Sequence, residues 1–66
     1  MANVYQKGDL TISAGSIYGD IHGEYRFIGS AKGGKVVKFN EALELTDDQK
    51  AKISSFVAEA AAAPEN

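Results

Sequence analysis

All seven glycines of this 66-residue chain fall between positions 8 and 34. Between them stand short runs rich in β-branched and aromatic residues, the pattern of strands broken by turns that need positive φ. Helix is disfavoured there, because each internal glycine costs about 1 kcal/mol relative to alanine. The first forty residues therefore predict a β-meander.

Asp9-Leu10-Thr11-Ile12-Ser13 alternates with period two and places Leu10 and Ile12 on one face of a strand. Ala14-Gly15 turns the chain into Ser16–Ile21, where Ile17, Gly19 and Ile21 face one way and Tyr18 and Asp20 the other. Gly19 inside that run suggests a bulge or a close backbone approach. After a His22-Gly23 turn, Glu24–Ile28 sets Tyr25 and Phe27 on one face, expected to be the core face, with Arg26 and Ile28 opposite. Gly33-Gly34 then lies between two β-prone runs and marks a hairpin into Lys35–Phe39. Val37 and Phe39 are expected to join Tyr25 and Phe27 in the core, leaving Val36 and Lys38 outward unless the register slips by one. Leu43 and Leu45 fit either an extended connector or a helical turn.

The C-terminal third changes period. Thr46 followed by Asp47, Asp48 and Gln49 is a capping box, in which Thr46 and Gln49 satisfy each other's backbone N–H. The two aspartates complement the positive end of the helix dipole. Ile53, Phe56, Val57 and Ala60 recur at i, i+3, i+4 and i+7, a stripe fit to lie across a sheet. Pro64 disfavours helix at Ala63 and stops it near Ala61 to Ala63.

The expected fold is α+β: a small antiparallel meander of three to four strands packed by one helix. Its parts are a sheet over about residues 4–40, a connector over 41–45, a helix over about 46–62 and a frayed tail at 63–66. The length admits one domain with a thin stability margin, since chains this short bury only about 60% of their unfolded surface. There is no cysteine, which fits a reducing compartment, and the N-terminal residues lack the apolar core of a signal peptide. The longest apolar run is Ala60–Ala63, far short of the roughly 20 residues a membrane helix needs. A cytoplasmic setting with no membrane partner is the expectation.

Three motifs suggest catalysis or ligand chemistry, and each fails a physical requirement. Gly29-Ser30-Ala31-Lys32-Gly33-Gly34-Lys35 has P-loop spacing, but Val36 stands where a Mg²⁺-binding hydroxyl belongs, and a strand follows where a helix must. Asp20, His22 and Glu24 alternate like metal ligands, but Gly23 breaks the strand, and no second histidine or cysteine exists to complete a site. Ser13 or Ser16 with His22 and Asp20 has the composition of a hydrolytic triad, without a cleft or an oxyanion hole around it. The expectation is a protein without enzymatic activity, metal or cofactor.

Charge is segregated along the chain. Residues 22–40 carry Arg26, Lys32, Lys35 and Lys38 against Glu24, a net +3, while residues 41–66 carry six acids against Lys50 and Lys52, a net −4. The leading expectation is a small protein-binding modulator that uses an acidic face of Glu41, Glu44, Asp47, Asp48 and Glu59 against a larger protein, nucleic-acid-handling proteins included. In type, the chain resembles small acidic cysteine-free modulators of bacteria and phages. That resemblance implies an inhibitor of the anti-defence kind. The first alternative is single-stranded nucleic-acid binding by the 22–40 hairpin, through Arg26, Lys32, Lys35 and Lys38 interleaved with Tyr25, Phe27 and Phe39. Against it stands the parity of the strands, which sets the aromatics opposite Arg26 and Lys38. A second alternative is a structural homo-oligomer, a homodimer included, suggested by the thin core and free strand edges.

Overall fold

The computed structural model describes residues 4–62; the tail expected at 63–66 lies outside them. Five strands, β1 (Val4–Lys7), β2 (Leu10–Ser13), β3 (Ser16–Ile21), β4 (Glu24–Lys32) and β5 (Lys35–Phe39), form one antiparallel meander in chain order. A short 3-10 helix (Glu41–Leu43) leads to the helix α1 (Asp47–Ala62). The α+β class is as expected, with one strand more than the three to four foreseen. The extra strand is β1, which pairs along β2 from Val4↔Ser13 to Lys7↔Leu10. Of its four side chains only Tyr5 is half-buried, so the sequence pattern there is weak.

Four two-residue turns join the strands, closing on Lys7↔Leu10, Ser13↔Ser16, Ile21↔Glu24 and Lys32↔Lys35. In the last three both turn residues have positive φ, the geometry whose twist matches that of the flanking strands. Both bonds of the capping box form: Thr46 N–H donates to Gln49 Oε1 at 2.8 Å, and Gln49 N–H donates to Thr46 Oγ1 at 3.1 Å.

α1 lies on one face of the sheet. Ile53, Phe56 and Val57 meet Ile17, Ile21, Ile28 and Leu43 in the buried core, and the Phe56 ring packs against Tyr5 with centroids 5.6 Å apart. Gly19 faces this layer where a β-carbon would come within 2.8 Å of Ile28 Cδ1 and Leu10 Cδ2, the close approach its position in the strand suggested. A helix about 10 Å wide cannot roof five strands spaced about 4.8 Å apart. Leu10, Ile12, Val36 and Phe39 are accordingly only half-buried at its flanks. Nothing among the described residues covers the other face of the sheet.

Two irregularities decide which side chains beyond Phe27 reach that open face. Ile17 pairs with Gly29 and Tyr18 with Phe27, so Ile28 is an extra residue on β4. Ala31 pairs with Val36 and Ser30 with Lys38, so Val37 is an extra residue on β5. Ile28 turns into the core and is fully buried, whereas Tyr25 and Phe27 are 65% and 42% exposed. The expected core positions of Tyr25, Phe27 and Val37 are corrected, the two rings by their pairing with Asp20 and Tyr18 across the His22-Gly23 turn and Val37 by the β5 insertion: Val37 is 67% exposed, and Val36, expected outward, packs against the core instead. Phe39 does turn to the helix side, beneath the Lys50 ammonium 5.8 Å from its ring centroid. No helix among the described residues is long and apolar enough to cross a membrane.

Candidate functional site

Strand pairing assigns the open face row by row. Ile17, Gly19 and Ile21 point to the helix, so Ser16, Tyr18 and Asp20 point away from it. The tight His22-Gly23 turn pairs Asp20 with Tyr25 and Tyr18 with Phe27, carrying both β4 rings to the same side. The three rings cluster there: Tyr18 lies nearly parallel to Tyr25 at a centroid distance of 6.2 Å and edge-on to Phe27 at 5.7 Å.

Beyond the Ile28 bulge the same side continues through Ser30, opposite Lys38, and Lys32, opposite Lys35. All three lysines are exposed, and neither of the two ion pairs among the described residues involves them. Beside Phe27, where β5 leaves β4, a shallow depression of about 330 Å³ opens between Ser30, Lys38 and Asn40, with Glu41 on its rim. The Asn40 side chain shapes it by donating to the Phe27 carbonyl at 2.9 Å and accepting from Ala42 N–H at 3.1 Å. The arrangement is an aromatic platform with cations at one end.

Arg26 departs from the group expected to act with these lysines. It pairs with Gly19 on the helix side of the sheet and is ion-paired with Glu24. The acidic residues are also divided. Glu59 is bound to Lys7 at 2.8 Å, an ion pair that raises the Lys7 pKa, while Glu41 and Glu44 sit on the 3-10 turn and Asp47 and Asp48 in the first turn of α1. The metal-like trio separates, with Asp20 on the open face, His22 in the turn and Glu24 on the helix side. Ser13 and Ser16 flank one end of β3 and His22 the other, roughly 20 Å apart at strand rise. The P-loop-like segment spans β4, the Gly33-Gly34 turn and β5.

No protein-family model, curated protein or solved structure matches this chain. Its function must be inferred from its own surface.

Another concavity lies on the helix side, a groove of about 430 Å³ floored by Leu10, Ile21, Ile53 and Phe56 and edged by the Lys7–Glu59 pair. It is the uncovered flank of the core, left where one helix is too narrow for the sheet. Sequence periodicity within Glu24–Ile28 missed the platform because Tyr25 and Phe27 look like the apolar side of that strand. The signal that finds them is the parity across the turn: two residues between strands force Tyr25 onto the side of Asp20 and Tyr18.

Proposed function

We propose that this chain is a non-enzymatic binding module that acts by contact, through the helix-free face of its sheet, and modulates a larger macromolecule. The observation that carries this reading is the ring cluster of half-buried Tyr18 with exposed Tyr25 and Phe27. Burying an aromatic side chain is worth about 1.5–3 kcal/mol. A domain with seven buried hydrophobic residues among those described leaves that gain unused at two rings, side by side. Scattered surface hydrophobics are ordinary; a cluster framed by polar residues marks a contact surface.

The acidic segment is the weaker candidate surface. Asp47 and Asp48 are accounted for by the helix dipole and Glu59 by Lys7, so only part of that group is left to meet a partner. An inhibitor of the anti-defence type is one form such a contact module takes.

The test is recovery of a stoichiometric partner, protein or nucleic acid, from native lysate on immobilised wild type, on Tyr25→Ala/Phe27→Ala and on Lys52→Ala. Loss on the first variant and retention on the second is the expected result, with circular dichroism showing both folded. Full retention on Tyr25→Ala/Phe27→Ala contradicts the proposal.

A further inference from the structure

Building on the open face as the working surface, we infer that its occupant is single-stranded nucleic acid. Bases stack on Tyr25 and Phe27, and phosphates run toward Lys32, Lys35 and Lys38. The chemistry on that face is of two kinds and both fit one ligand. Exposed rings offer π-faces to any unpaired base, and stacking of this kind is tolerant of sequence. Duplexes keep their bases stacked on one another, so a ring platform on an open sheet selects single strands.

The charge argument is more specific. Lys32 and Lys35 stand directly across from each other on paired strands, an arrangement that destabilises a sheet through like-charge repulsion. No carboxylate among the described residues pairs with either, or with Lys38 on the next outward position. An anion lying along these three side chains removes the repulsion. The sheet rows of the open face hold one acid, Asp20, beside Tyr25 at the far end from the lysines, so the face is net cationic although the chain is net acidic. Protein interfaces are depleted of lysine relative to the rest of the surface, whereas phosphate contacts are made by lysine and arginine. Between the rings and the lysines, the depression beside Phe27 is bounded by the Ser30 and Lys38 side chains that a nucleotide's sugar and phosphate would meet. Glu41 on its rim opposes the phosphate and sets a limit on affinity there.

Fluorescence anisotropy with labelled oligo-dT and oligo-U of about 15 nucleotides, within the span such small β domains cover, tests the inference. Both should bind at low salt and compete with one another; a matched duplex should bind weakly. A strand neutralising three lysines gives a log–log salt slope of about −2, or roughly a 20-fold loss of affinity between 50 and 200 mM salt. Tyr25→Ala and Phe27→Ala should each weaken binding by roughly 5- to 150-fold. Lys35→Glu should weaken binding while raising Tm, because it places a carboxylate opposite Lys32; loss of binding there is not loss of fold. Lys52→Glu, on the helix, should leave affinity within about twofold, being far from the phosphate path.

The inference is overturned by no salt-dependent binding to either oligonucleotide, by a duplex bound as tightly as a single strand, or by equal weakening by Lys52→Glu. A protein partner recovered from lysate after nuclease treatment, lost on Tyr25→Ala/Phe27→Ala, with no oligonucleotide binding, overturns the nucleic-acid occupant. It leaves the open face as the contact surface.

Discussion

Individual residues set the turns and the strand spacing. Ala14 and His22 occupy turn positions at φ 51° and 55°, a region that costs an ordinary residue about 1–2 kcal/mol and that asparagine enters readily. Ala14→Asn and His22→Asn should each raise stability by up to about 1 kcal/mol, read as a shift in the urea midpoint; an unchanged or lower midpoint contradicts the turn geometry. Gly29 is the opposite case. A β-carbon built there meets the Lys38 carbonyl oxygen and the Phe39 backbone, where β4 and β5 come together. Backbone cannot yield as a side-chain tip does, so Gly29→Ala should cost about 3 kcal/mol, at the upper end of overpacking penalties, in the same denaturation experiment.

At the level of elements, α1 depends on its cap and on the stripe behind it. Thr46→Ala removes a bond to the Gln49 N–H and should cost about 1 kcal/mol, with the last strand and the helix losing amide-exchange protection first. The Lys7–Glu59 pair that ties the β1–β2 turn to α1 is exposed and correspondingly weak. Because it raises the Lys7 pKa, its small contribution is complete below the unfolded pKa and disappears as pH rises through the folded one. The cap, the Ile53–Phe56–Val57 stripe, the Gly33-Gly34 hairpin and the inward face of β3 are all legible in the residues, because each is a local pattern with one dominant period. The side of the sheet taken by Tyr25 and Phe27 is not legible within β4 itself, because it is set by pairing with β3 across the turn and not by alternation along one strand. Alternation inside β4 favours the rings as core; parity across His22-Gly23 places them outside, and Ile28 supplies the core contact in their stead. β1 is hard to see for a related reason, having one inward side chain and a partner strand that supplies the rest.

At the scale of the molecule, the described residues form a sheet with one side packed and one side open. At roughly 0.05–0.15 kcal/mol per residue, a chain of this length has about 3–10 kcal/mol of total stability. Phe56→Ala should remove about 3–5 kcal/mol of it and leave the protein largely unfolded by circular dichroism, since Phe56 links the helix to both Tyr5 and the core. Tyr25→Ala, by contrast, removes a ring that the core does not use, and should change stability by no more than about 0.5 kcal/mol. Packing and contact are thus separable by mutation, one on each side of the sheet. Part of the charge follows the same partition, with Lys32, Lys35 and Lys38 on the open side and most acids on the connector and helix. A ¹⁵N-resolved NMR titration with oligo-dT tests this most directly. The predicted result is a saturable set of amide shifts at Tyr18, Tyr25, Phe27 and Lys38 with α1 undisturbed; shifts centred on Asp47–Ala62, or none at low salt, would contradict it.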